Sequence, residues 1–330
     1  MNGGPQRERF EPLERVEAAA AAFEAAWAGD RLHHAWLLTG PRGVGKAALA
    51  WRAARRLLGA APAGAALASA PDDPANRLIA ARAHPDLLVL ERETDDGKPR
   101  RNIPVDEARR LPEFFAKAPA LAAHRVALID AADDLNVNSA NAVLKTLEEP
   151  PPRGVLLLVS HAPGRLLPTI RSRCRRLGVA PWPDEAVAGF LRAQGQDARF
   201  AADARGSPGR ALALAEGGEG PAAAAAELLS RLPEVDEAQL LKLSEGFRGG
   251  EGAERFAALL ERLADALRDR LAAAAAAGLG GLEPWARVWE RLAQLPAEAE
   301  GLNLDRADAL LSALGELRAA ARRRPLPAPC

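Results

Sequence analysis

The run Gly40-Pro41-Arg42-Gly43-Val44-Gly45-Lys46-Ala47 concentrates more usable chemistry than any other stretch of this chain. Its glycines let successive backbone N–H groups turn toward one anion, a helix opening behind them would add partial positive charge, and Lys46 adds a full one. The pattern is that of a loop built to hold phosphate. One required atom is missing. A hydroxyl should follow the lysine to hold the magnesium ion that bridges terminal phosphates, and Ala47 offers only a methyl. A glycine turn that merely joins two elements is the bland alternative; the lysine and the strand, loop, helix order argue against it.

A second group repeats the loss. Arg125-Val126-Ala127-Leu128-Ile129-Asp130 ends an apolar run on a carboxylate suited to reach such a magnesium ion, yet Ala131 follows where a glutamate would activate the attacking water. Asp133 lies past the end of that run and reads as an exposed helix cap, not as a substitute. Two losses at one site predict no hydrolysis here, with ATP bound weakly or not at all. A third group, Arg171-Ser172-Arg173-Cys174-Arg175-Arg176, closes a helix-like stretch that begins at Leu166. Solvated helix ends account for most clusters of this kind, so its meaning depends on its surroundings.

These groups need a scaffold, and four short apolar runs supply one. Ala35 to Thr39, Asp86 to Leu90, Arg125 to Asp130 and Val155 to Ser160 read as strands buried on both faces of a parallel sheet. Helix-like segments near 47–58, 106–115 and 138–147 alternate with them, which predicts a doubly wound α/β domain over residues 1–179. After Pro181-Trp182-Pro183 the strand pattern stops. A small helical lid is expected over 180–217, and an all-helical domain over 218–330, where Phe256, Leu259, Leu260, Leu263 and Leu267 recur at helical spacing. Gly59 to Asn76 and Glu91 to Arg101 have no usable period and read as loosely ordered surface insertions, the second with a turn at Asp95-Asp96-Gly97-Lys98.

Composition narrows the classes. The 330 residues are 48 % hydrophobic and 27 % charged, an ordinary globular balance, and the formal net charge of +0 provides no bulk field toward nucleic acid. DNA contact would have to come from local patches or from partners. With only two cysteines, Cys174 and Cys330, a disulfide framework and a four-thiolate zinc site are excluded, so no metal and no zinc are expected. No run approaches the roughly 20 apolar residues of a spanning helix, so a cytoplasmic protein with no membrane contact is expected.

Three segments carry a resemblance that covers roughly Leu32 to Arg210. His33-His34-Ala35-Trp36-Leu37-Leu38-Thr39-Gly40-Pro41, then Asn141-Ala142-Val143-Leu144-Lys145-Thr146-Leu147-Glu148-Glu149-Pro150-Pro151, then Ser172-Arg173-Cys174 resemble, in order, the motifs of the bacterial DNA polymerase III clamp loader family of AAA+ proteins. His84-Pro85-Asp86 matches as well. The resemblance implies that Arg173 is an arginine finger, reaching in trans to the γ-phosphate of ATP on a neighbouring motor subunit. It also implies that Gly40, Gly43, Gly45, Lys46 and Asp130 are the remains of a nucleotide site, as in delta-prime-type subunits. Ser160 matches a polar sensor position. Arg210 reads either as a second sensor arginine or as a solvent-facing helix residue.

The partners this implies are motor (gamma/tau) and delta subunits in a hetero-oligomer, with the sliding clamp and primer-template DNA reached through the complex during replication. The C-terminal domain would be the collar, with Leu302 to Leu314 in its last helix. Many relatives carry a four-cysteine zinc module where this chain has Gly59 to Ala83 and no cysteine. An active motor ATPase of the same family is the first alternative, opposed by Ala47 and Ala131. An AAA+ scaffold outside the replisome is the second, opposed by the Glu148-Glu149-Pro150-Pro151 and Ser172-Arg173-Cys174 motifs.

Overall fold

Each of the four apolar runs is a strand of one parallel sheet in the computed structural model, which describes residues 16–29, 31–92, 94–95, 98–99, 102–217, 220–234, 245–247, 249–302, 304–323 and 325. The strands are β1 (Ala35–Thr39), β2 (Leu87–Glu91), β3 (Arg125–Asp130), β4 (Gly154–Ser160) and β5 (Arg175–Gly178). They lie in the order β2-β3-β4-β1-β5, all parallel. The fifth strand is not anticipated by the sequence pattern. Of Arg175-Arg176-Leu177-Gly178 only Leu177 is buried, because β5 is an edge strand that adds to β1 on one side only.

Helices cover both faces, as continuous apolar strands require. They are α1 (Glu17–Ala28), α2 (Lys46–Leu57), α3 (Pro74–Ala80), α4 (Val105–Ala116), α5 (Val137–Glu148) and α6 (Pro168–Arg173). One core joins α1 and α2 to the sheet through Phe23, Trp36, Leu49, Leu57, Val126 and Leu157. The opposite face packs Leu111, Val143, Leu147, Ile170 and Cys174 on Leu37, Ile129 and Leu158. Alternate residues of the same strands thus feed two cores. The α/β expectation is met.

The chain divides into two compact units, 1–215 and 216–330. In the first, α7 (Asp184–Ala193) and α8 (Pro208–Gly217) follow Trp182, and Val187, Leu191, Ala204, Ala211 and Leu214 enter the same core as Trp36 and Leu49. The second unit contains α9 (Gly220–Ser230), α10 (Gly249–Ala276), α11 (Glu283–Leu302) and α12 (Arg306–Arg323). Its core takes Phe256, Leu259, Leu260, Leu263 and Leu267 from the anticipated stripe and closes them against Trp285, Leu292, Leu310 and Leu314.

The segment expected to be loose after Gly59 is held by side chains. Asp73 accepts from its own helix at Ala75 N (2.8 Å), making it the N-cap of α3 with Pro74 behind it, and also from Ala61 N (3.0 Å). Asn76 donates to Ala70 O at 2.7 Å and to Ser69 Oγ at 2.9 Å. Residues 94–95 and 98–99 pair antiparallel around the expected turn.

Asp86 anchors the far end of the sheet. Fully buried, it accepts from the backbone N–H groups of Ala120, Leu121 and Ala122 at 2.8, 2.8 and 3.0 Å, with Arg125 Nε 3.8 Å away. Burial by itself would push its carboxyl up; the three donors and the guanidinium outweigh that and hold it below the usual carboxylate range.

Candidate functional site

Strand register brings the candidate residues to one end of the sheet. Thr39 at the end of β1 lies opposite Ser160 at the end of β4, and Asp130 at the end of β3 lies opposite Val159. The loop that leaves β1 therefore opens where β3 and β4 also end, the crevice in which open α/β sheets hold ligands. Gly40 to Gly45 make that loop, and α2 opens at Lys46. Gly43 and Gly45 have φ of +77° and +101°, a region that L side chains rarely enter.

Lys46 does not point into open solvent. It is buried, and its Nζ donates to the carbonyls of Gly40 (2.6 Å) and Pro41 (2.5 Å) in its own loop. Burial pushes its ammonium down to about 8; Asp133 and then Asp130 oppose that shift, and Arg42 adds to it. Ala47 follows it, and the methyl there has no atom that could ligate a hard cation. Asp130 is buried at the end of β3, and Ala131 after it is buried too.

Asp133 is not the exposed helix cap expected of it. Its carboxylate is half-buried and accepts from Ser160 Oγ (3.0 Å), His161 N (2.7 Å) and Ala162 N (2.9 Å), so it ties the end of β4 to the turn after β3. That commitment also occupies Ser160, the expected sensor, which is itself fully buried. Its neighbour Asp134 is raised by burial, against the pull of Arg92, whose Nε lies 3.1 Å from it.

The start of α8 is stitched to the glycine loop. Ser207 Oγ donates to Arg42 O at 2.8 Å and accepts from Arg210 N at 3.2 Å, capping α8 with Pro208 at its first turn. Gly209 N donates to Gly43 O at 2.9 Å. Arg210 is thus on the helical turn that touches the loop, with its side chain half-buried.

Arg173 lies elsewhere, at the C-terminal end of α6, with its side chain 37 % exposed. Its Nη1 donates to Thr169 O at 3.2 Å and its Nη2 lies 3.2 Å from Glu148 Oε1 at the end of α5. Cys174 after it is buried, and burial pushes its thiol up to about 12. Arg175 stacks over Trp36 at 4.8 Å, and Arg176 is exposed. The loop residues, Asp130 and Arg210 are thus gathered at one place, while Arg173 stands on the surface of another pair of helices. Among the described residues no group of His, Cys, Asp and Glu is arranged to hold a metal ion, and no helix is long and apolar enough to cross a membrane.

Residues 16–182 match the family model described as DNA polymerase III, delta subunit. A DNA polymerase III subunit delta' of Pseudomonas aeruginosa is 47 % identical over 155 residues, 46 % of this chain and 45 % of that protein. The subunit delta' of Escherichia coli K12 is 36 % identical over 198 residues, 58 % of each chain. The matches thus span about half the length of these curated relatives. The crystal structure of a DNA polymerase III gamma subunit-related protein from Thermotoga maritima is 18 % identical, covering 94 % of this chain and 99 % of that one with a TM-score of 0.43.

Proposed function

This chain belongs to the delta-prime family of DNA polymerase III clamp loader subunits, and on that premise we propose that it is a non-hydrolysing AAA+ subunit that lends Arg173 to ATP bound by a neighbour. It acts as part of the polymerase holoenzyme in the cytoplasm, within a hetero-oligomer of motor and delta subunits that loads the sliding clamp on primed DNA.

The observation that carries this is the split between a loop short of catalytic groups and a surface arginine. Hydrolysis at the loop would need a hydroxyl on the metal and a base on the water, and alanines stand at both positions, Ala47 and Ala131. Asp133, the next carboxylate along the chain after Asp130, already accepts three hydrogen bonds. Arg173 is on a different pair of helices and faces solvent, where only another molecule can bring phosphate to it. A fork-shaped guanidinium supplied in trans spreads positive charge over the transferring phosphoryl group and is worth about 10³ to 10⁵ in rate.

Reconstitution with motor and delta subunits tests this, with DNA-stimulated ATPase measured with and without the chain. Turnover should be absent from the isolated chain and rise when it joins the motors. Turnover by the isolated chain at ordinary AAA+ rates, abolished by Lys46→Ala, would contradict it.

A further inference from the structure

We propose that Glu148 is a positioning residue for Arg173, holding the guanidinium in a fixed pose at the subunit surface before a neighbour's phosphate arrives; this rests on the finger role of Arg173 given above. The two residues come from different helices and are 3.2 Å apart at their nearest atoms. One apolar core sets both. Val143 and Leu147 on α5, Ile170 on α6 and Cys174 just after it are all buried in it, so the helix ends that carry Glu148 and Arg173 are fixed relative to each other.

Stability does not explain the pair. Both side chains are substantially exposed, at 37 % and 51 %, and ion pairs of that kind contribute little to folding. Glu148 is also the last residue of α5, where the helix dipole disfavours a carboxylate. Arg173 has the opposite setting: a cation at the end of α6, donating back to Thr169 O in its own last turn. The carboxylate is thus placed against its local preference and within reach of Arg173.

What it does is restrict motion. An arginine carries several rotatable bonds, and a catalytic cation that must be ordered at each encounter loses rate to that ordering. Thr169 O and Glu148 hold two different guanidinium nitrogens, which leaves the remaining N–H donors for a phosphate. The pair is weak enough to adjust when the stronger anion comes.

A double-mutant cycle in the reconstituted complex tests this, with Glu148→Ala, Arg173→Ala and the double variant, reading kcat and KM for ATP together with assembly by size-exclusion chromatography. Glu148→Ala should lower kcat at the site facing this chain about fivefold with KM and assembly unchanged. Glu148→Gln, which keeps an oxygen acceptor at the same reach, should stay within about twofold of the parent. In the Arg173→Ala background Glu148→Ala should cost nothing more. If Arg173→Ala lowers kcat but Glu148→Ala does not, or if Glu148→Ala lowers it equally in both backgrounds, the positioning role is overturned and the finger stands. If Arg173→Ala itself changes nothing, the finger falls and the positioning role with it.

Discussion

Ser207 and Arg42 are 165 residues apart in sequence, and the hydroxyl of the first donates to the carbonyl of the second at 2.8 Å. This bond, with Gly209 N on Gly43 O at 2.9 Å, closes the start of α8 onto the glycine loop at 40–45. The glycine loop at 40–45 is therefore a packed structural joint.

Gly43→Ala should expose that joint. A Cβ there would stand 2.4 Å from Ser207 Oγ, on a backbone at φ +77°. Clash and strain together should cost about 2–4 kcal/mol in chemical denaturation. Ser207→Ala removes the cap of α8 and the bond to Arg42, and should cost about 1–2 kcal/mol. An unchanged midpoint for both variants would show that the joint contributes nothing.

Lys46 should be a liability to the fold. With its ammonium pushed from 10.5 down to about 8, the folded state holds its proton less tightly than the unfolded chain. The sign follows: the charge destabilises the fold fully below about pH 8, and the penalty fades as pH climbs from about 8 toward 10.5, where the unfolded chain also loses its proton. Lys46→Met should therefore stabilise the chain at pH 7 by about 1–2 kcal/mol, part of the gain being offset by the two loop carbonyls left without their donor. The advantage of the variant should shrink between pH 8 and 10, read from melting temperatures at each pH. A variant less stable than the parent at pH 7 would contradict this.

Asp86 works in the opposite direction. Because its folded-state carboxyl is held below the ordinary range, its contribution is complete above the unfolded value of about 3.9 and is lost as pH falls through the folded one. Asp86→Ala should cost about 3 kcal/mol at pH 7, since three backbone N–H groups and Arg125 lose a buried acceptor. The gap between parent and variant should narrow as the buffer is taken below pH 4. A gap that stays constant with pH would mean that the carboxylate charge is not what the loop at 120–122 requires.

The parts of this molecule whose physics is local are legible in its sequence. Four strands are legible because each is an unbroken apolar run, and the glycine loop at 40–45 with the helix behind it because its glycines, lysine and following helix are consecutive. β5 is not legible because an edge strand with one buried residue, Leu177, carries no apolar run. α3 lies inside a stretch without period, and its one local signal is Asp73-Pro74, a cap followed by a first-turn proline. The tie from Asp133 to Ser160 spans 27 residues, and the Glu148 to Arg173 pair joins two motifs that no periodicity connects. Such contacts arise only when strands and helices from distant segments are set side by side.

Arg173→Ala in the reconstituted complex is the most direct measurement. The isolated subunit should fold and assemble as before, because an exposed side chain with one surface ion pair contributes little to its own core. Hydrolysis at the ATP site facing this chain should fall on the order of 10³-fold, with total ATPase falling less where other sites have their own arginines. Arg175→Ala and Arg176→Ala serve as controls, since a plain basic surface would respond alike to all three substitutions and with the same salt dependence. An Arg173→Ala complex that matches those controls, with clamp loading intact, would contradict the finger assignment.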